Sequence, residues 1–142
     1  VLGIVGESGS GKSTLLRAIS GIYPVDSGEV HAAGEISLLA GLGTGFSPHQ
    51  TGRENAILYG SILGHAEQEM REKLDEIIAF SELGEFIDQP LRTYSSGMRA
   101  RLGLAVASAI RPDILLIDED MPGLKGPDFL KLIKEELELL VA

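Results

Sequence analysis

Gly6-Glu7-Ser8-Gly9-Ser10-Gly11-Lys12-Ser13-Thr14 is the stretch that decides the fold, and it follows the pattern G-x-x-x-x-G-K-[ST]. The apolar run before it, Val1-Leu2-Gly3-Ile4-Val5, reads as a buried strand. After it, Leu15, Leu16 and Ile19 recur at helical spacing until Gly21 and Pro24 break the pattern. Strand, glycine-rich loop and helix in that order form a phosphate cradle. Gly6, Gly9 and Gly11 let the backbone take positive φ and approach a polyphosphate without a Cβ in the way. Loop N–H groups and the helix N-terminus then face the phosphates with partial positive charge. In this reading Lys12 reaches the β- and γ-phosphates as a point charge, and the Ser13 hydroxyl helps to hold Mg²⁺. A plain glycine-rich turn with an exposed lysine is the bland alternative. Strand, spacing, Lys and Ser all argue against it.

The 142 residues are 44% hydrophobic, which suits one domain with a sizeable core. Trp is absent and only 5% of residues are aromatic, so that core rests on Leu, Ile, Val and Ala. A formal net charge of −9 and no basic face argue against a nucleic-acid partner. An anionic nucleotide still binds, because the loop is locally positive. The lack of Cys fits a reducing compartment and excludes a thiolate site. No apolar run reaches the roughly 18–20 residues that cross a bilayer, and no charged leader precedes the first apolar residues. The abrupt start reads as a chain cut out of something longer.

Beyond the first helix, Asp26-Ser27-Gly28 reads as a turn. Glu29-Val30-His31 and Glu35-Ile36-Ser37-Leu38-Leu39 read as two short strands joined through Ala32-Ala33-Gly34. His31 is an exposed strand residue rather than a ligand, since nothing completes a metal set around it. Gly41, Gly43 and Gly45 make a flexible loop that ends at Phe46-Ser47-Pro48. Thr51-Gly52-Arg53-Glu54 has capping-box spacing and opens a helix that runs to Gly64. From Ala66 to Phe80, Met70, Leu74, Ile77 and Ile78 form one core stripe, with Glu67/Arg71 and Glu69/Lys73 as i,i+4 pairs on the solvated face. Ser95 caps a helix carrying Met98, Leu102, Val106 and Ile110, and Arg111-Pro112-Asp113 ends it. Ile114-Leu115-Leu116-Ile117 is wholly apolar, as expected of a parallel strand covered on both faces. An amphipathic helix from Asp128 to Val141 closes the chain.

Carboxylates at the tip of an apolar strand need a reason, because charge beside a buried segment costs solvation. In open α/β sheets these strand ends face the ligand crevice. Asp118 there anchors Mg²⁺ opposite Ser13, directly or through water, and Glu119 orients or deprotonates an attacking water as general base. Capping or turn acids are the plainer alternative. Tyr94-Ser95-Ser96-Gly97-Met98 offers serine hydroxyls, a glycine and a helix N-terminus, which together make a second phosphate-binding surface. Alone it is no more than a common cap; its place before the acidic strand gives it weight.

With these three motifs in this order, the sequence resembles the ATP-binding subunits of ABC transporters along essentially its whole length. The signature Y-S-S-G-M, Gly45-Phe46-Ser47-Pro48 running into Thr51-Gly52-Arg53-Glu54-Asn55, Ile62-Leu63-Gly64 and Leu83-Gly84-Glu85-Phe86-Ile87-Asp88 are similar to the branch that exports O-antigen, teichoic acid and related polysaccharides. The resemblance implies an α/β fold: a P-loop NTPase core of the ABC type, with a mostly parallel sheet and an inserted helical subdomain, truncated at both ends. It implies a single ATP-binding domain, with residues 1–50 and 111–142 as the RecA-like core and 51–110 as the helical subdomain. It implies ATP and Mg²⁺ as ligands, and a head-to-tail dimer in which Tyr94, Ser95, Ser96, Gly97 and Met98 of one copy close over the nucleotide of the other. Hydrolysis, with Glu119 as base and Lys12 on the phosphates, reopens that dimer and moves transmembrane permease subunits. The location implied is the cytoplasmic face of a bacterial plasma membrane, peripheral through the permease.

Several positions depart from the family. The glutamine usual before the helical block would fall near Ala40 to Gly43, where none is present, and Gln50 lies too late. Lys125 stands where the family's further aspartate would fall, and His31, His49 and His65 all precede the signature and cannot sense the γ-phosphate. The adenine-stacking aromatic lies before the P-loop strand in the family, and Tyr23 cannot replace it. Weaker adenine discrimination and lower stability than in an intact subunit are the expectations. Two further readings stay open beside the transport ATPase. One is a nucleotide-binding module without appreciable turnover; the other is a soluble ABC ATPase of DNA repair or translation.

Overall fold

The computed structural model describes residues 2–39 and 45–118. Helix α1 spans Lys12–Ile19, strand β1 Ile36–Leu39, and α2 Gly52–Ile62. Helices α3 (Glu67–Glu72) and α4 (Leu74–Ser81) follow, then 3₁₀ turns at Gly84–Asp88 and Leu91–Thr93, helix α5 (Ser96–Ile110) and strand β2 (Ile114–Ile117). The two strands pair in parallel, with Ile36 opposite Ile114 and Leu39 opposite Ile117, so the whole helical block is the crossover between them. A parallel pair needs such a long connection, because a tight turn can only reverse the chain.

α5 holds the molecule together because it is apolar nearly all round, as a helix covered on several sides must be. Leu102, Ala105, Val106 and Ala109 pack with Ala56 and Tyr59 of α2, Met70 of α3 and Ile77 of α4. Ala100, Leu104 and Ala107 pack with Leu39 of β1 and, from β2, with Leu115 and Ile117. The sequence stripe Met98-Leu102-Val106-Ile110 identifies only the first of these faces; Leu104 between two alanines makes the second, and the small alanine side chains let the sheet approach closely. At the C-terminus of α5, Arg111 adopts φ 52°, which stops the helix and turns the chain into β2.

Four expectations are corrected. Leu2–Val5 is not a strand: Leu2 is 90% and Val5 97% exposed, and no backbone partner takes up their hydrogen bonds among the described residues. An apolar run becomes a strand only beside a neighbour that accepts its ladder. Glu29–His31 is likewise irregular and exposed, with His31 Nε2 instead 2.8 Å from Glu29 Oε2. The 66–80 stripe is core, but two helices broken at Lys73 carry it, and the Lys73 Nζ donates to the Ala109 carbonyl at 2.9 Å rather than pairing with Glu69. Glu69 pairs with His65 instead, while Glu67 does hold Arg71, at 2.6 Å. Finally, β2 is half-buried along its length rather than fully covered on both faces. Residues 41–44 of the glycine loop, Glu119 and the helix expected over 128–141 lie outside the described residues.

Candidate nucleotide site

The loop before α1 is shaped by its glycines. Gly9 (φ 81°) and Gly11 (φ 94°) occupy the left-handed region, and Gly11 is the residue from which α1 starts. At Gly6 the demand is space: a Cβ there would lie 2.6 Å from Ser10 Oγ. A turn closes between Glu7 and Ser10, whose N–H donates to the Glu7 carbonyl at 3.1 Å. Lys12 folds back over this turn and donates through Nζ to the carbonyls of Gly6 (2.7 Å) and Glu7 (2.9 Å). Its charge is thus held at the mouth of the loop, between two backbone oxygens and the free N–H groups at the start of α1. Glu7, Ser8, Ser10 and Thr14 are exposed around it.

Ser13 lies in the first turn of α1 and points across to the tip of β2. Its Oγ donates to Asp118 Oδ1 at 3.0 Å. Asp118 is only 8% exposed, and its N–H reaches back to the Leu39 carbonyl at 3.4 Å, so the strand pairing sets where the carboxylate stands. A hydroxyl and a carboxylate this close are hard oxygen donors of the kind Mg²⁺ takes, alongside phosphate oxygens. With a glycine cradle, a lysine at its mouth and this oxygen pair, the residues present fit a magnesium nucleotide.

The second expected surface is built differently. Ser95 Oγ caps α5 by accepting from Met98 N–H at 3.2 Å. Ser95 and Ser96 are exposed, and Gly97 and Met98 half-buried. A Cβ on Gly97 would meet nothing nearer than Ser95 Oγ at 3.9 Å, so local packing does not require glycine there. Tyr94 turns the other way. It is 5% exposed, its hydroxyl donates to the Phe86 carbonyl, and burial followed by the nearby Asp88 charge pushes the phenol above its ordinary value of 10.0. No hydrogen bond joins 94–98 to 6–14 among the described residues.

Two features here are not legible as motifs. Arg53 forks onto Asp88, Nε to Oδ1 at 3.0 Å and an Nη to Oδ2 at 3.4 Å, and that bond raises the guanidinium above its ordinary value. Asn55 is fully buried on α2 and hydrogen-bonded to the loop before it. A polar residue on the inner face of an apolar helix was the available signal for Asn55.

The family model described as "ABC transporter" matches residues 1–121. The chain belongs to the ABC transporter family. Membership implies nucleotide binding, generally with Mg²⁺. Over 118 residues the chain is 59% identical to the O-antigen export system ATP-binding protein RfbB of Myxococcus xanthus, covering 83% of this chain and 27% of that protein. It is 53% identical to the teichoic acids export ATP-binding protein TagH of Enterococcus faecalis, again over 83% of this chain, and 26% of that one. The O-antigen export system ATP-binding protein RfbE of Yersinia enterocolitica is 48% identical over 83% of this chain and 49% of its own. The chain therefore spans about a quarter to a half of the length of these curated relatives. Its fold is that of cbiO1 from Clostridium perfringens, described as part of the ABC transporter complex cbiONQ. The TM-score is 0.69 at 20% identity, covering 96% of this chain and 60% of that one. Among the described residues no helix is long and apolar enough to cross a membrane.

Proposed function

We propose that this chain binds MgATP on Gly6–Thr14 and hydrolyses it to power export of a cell-surface polysaccharide, of the O-antigen or teichoic acid kind, through membrane permease subunits. The observation that carries the reading is the 3.0 Å bond between Ser13 and Asp118 beneath a glycine loop whose lysine is already turned inward. The relatives that share about half their residues with this chain are named for such export, which supports the substrate class.

Bound Mg²⁺ supplies charge neutralisation on the phosphates. Ser13 and Asp118 hold it, Lys12 leaves its carbonyl partners for the phosphate oxygens, and the loop N–H groups take the remainder. Glu119, which follows Asp118 in sequence, removes a proton from the attacking water. The exposed Ser95 and Ser96 with Gly97 complete the site of a second, head-to-tail copy. Residues 1–50 and 111–142 act as the core and 51–110 as the helical subdomain that meets the permease, on the cytoplasmic face of a bacterial membrane.

ATP turnover measured against protein concentration, with Mg²⁺, tests the reading on this chain and on Glu119→Gln. A rate that climbs faster than linearly and vanishes in the variant supports it. Nucleotide binding that needs Lys12 but never turns over would leave a binding module.

A further inference from the structure

Asn55 has 0% exposure, and its carboxamide is used on both atoms. Oδ1 accepts from Ser47 N–H at 2.7 Å; the two N–H groups of Nδ2 are shared among the carbonyls of Ser47 (2.9 Å), Gln50 (3.1 Å) and Thr51 (2.9 Å). One short side chain thereby ties down the irregular turn of residues 47–51. Few residues could do this. Asp lacks the two donors, and the longer arm of Gln would have to fold within a filled core. Alanine would be the better helix former at this position, so helix propensity does not account for the asparagine.

The outer edge of the same turn carries a second set of bonds. The Gln50 carbonyl that accepts from Asn55 also accepts from Leu91 N–H at 2.9 Å. Pro48 accepts from Arg92 N–H at 2.9 Å, Gly52 N–H reaches the Gln89 carbonyl at 3.3 Å, and Thr51 bridges Pro90 antiparallel. From there the chain makes the 3₁₀ turn Leu91–Thr93, buries Tyr94 and arrives at Ser95, the cap of α5.

We propose that Asn55 is a positioning residue for Ser95–Gly97: its carboxamide sets the 47–51 turn, whose outward carbonyls hold residues 91 and 92 and so set where the two serines stand. The proposal rests on the reading of Ser95–Gly97 as a surface that acts on nucleotide across a dimer. It does not depend on that reading for its first measurement.

That measurement is amide hydrogen exchange without nucleotide, on the full chain, for wild type, Asn55→Ala, the near-isosteric Asn55→Asp, and Ile77→Val as a core control on α4. Leu91 and Arg92 amides should exchange about tenfold or more faster in both Asn55 variants and no faster than the global change in Ile77→Val. With Mg²⁺ and ATP, the Asn55 variants should keep their nucleotide Kd within about twofold and lose about tenfold in turnover, since misplacing a positioning group spares ground-state binding. Leu91 and Arg92 amides that stay protected, or that loosen equally in the control, overturn the proposal. So do nucleotide affinity and turnover falling together. Wild type lacking turnover while its 91 and 92 amides loosen as expected in the variants defeats the ATPase reading but leaves the clamp standing. Should neither variant fold, native-state exchange of the wild type decides. The Asn55 side-chain amide and the 91 and 92 amides must open with one common free energy, and separate openings sink the idea.

Discussion

Ser13 Oγ donates to Asp118 Oδ1 across 3.0 Å although 105 positions of sequence separate them. Each residue is placed by its own device. Ser13 follows the left-handed Gly11 at the start of α1, whereas Asp118 follows the last paired residue of β2. The two partners are therefore held by elements that share no local sequence, and their meeting is a property of the fold.

Ser13→Ala tests what that meeting is for. The variant should lose about 10- to 100-fold in nucleotide affinity when Mg²⁺ is present, because a donor to the ion is gone. With the metal chelated the two proteins should bind alike, and stability should change by less than about 1 kcal/mol. Titration of a fluorescent nucleotide with and without Mg²⁺ checks both. An equal loss in the two conditions would make the bond a structural one only.

Much of the candidate site's local geometry is legible in the sequence, for a physical reason. The loop geometry is written in Gly9 and Gly11, the Thr51/Glu54 capping box in its spacing, and β2 in four aliphatic residues. These signals are local. What sequence alone mislaid depends on partners. Leu2–Val5 has strand composition but no neighbour to pair with among the described residues, and Lys73 left its i,i+4 partner for a carbonyl on α5. The sheet-facing side of α5 was hidden because Leu104 stands there between Ala100 and Ala107, and alanine is equally at home inside or outside. Asn55 was invisible as a clamp because its four partners are backbone atoms, which every sequence has.

Gly34→Ala should loosen the sheet that carries Asp118. Gly34 has φ 126°, and a Cβ there would lie 2.5 Å from the Asp113 side chain, which itself accepts from Glu35 N–H at 2.7 Å. Backbone strain and overlap together should cost at least about 1–3 kcal/mol. Combining it with Asp113→Gly, which also removes the Asp113 Cβ that crowds the new methyl, should relieve the overlap but not the strain, so the double variant should be less damaged than the sum of the singles. Denaturant unfolding of all four proteins gives the cycle. Simple additivity would mean the overlap is absorbed elsewhere.

Alkaline pH should destabilise the helical block through its buried tyrosines. Burial pushes the Tyr59 phenol above its ordinary value of 10.0. Once pH exceeds that value the unfolded chain gives up the proton while the folded one keeps it. Stability is thus fully present below it and falls as pH climbs toward the folded value. Tyr59→Phe should remove this share, flattening the alkaline limb above about pH 10 while leaving neutral stability within about 1 kcal/mol. Urea midpoints across that range report it; an unchanged slope would place the titration elsewhere.

Ser95→Ala and Thr51→Ala form a matched pair that separates capping from chemistry. Thr51 Oγ1 accepts from Glu54 N–H at 3.2 Å and opens α2; Ser95 Oγ accepts from Met98 N–H, also at 3.2 Å, and opens α5. Either substitution should cost about 1 kcal/mol, the usual worth of an N-cap. The two hydroxyls differ in what their protons do. Thr51 turns its O–H to Glu54 Oε2 at 3.2 Å within the box, whereas Ser95 is exposed and accepts through oxygen, which in the proposed dimer leaves its proton for a phosphate oxygen of the nucleotide on the facing copy. With stability matched, turnover at saturating ATP should fall about 10- to 100-fold further in Ser95→Ala, as when one preorganised donor to developing charge is removed. The deficit should not be recovered by raising protein concentration if the hydroxyl serves chemistry, and should be recovered if it serves only association. Equal activities in the two variants would reduce Ser95 to a helix cap and leave Ser96 and Gly97 to carry the second surface alone.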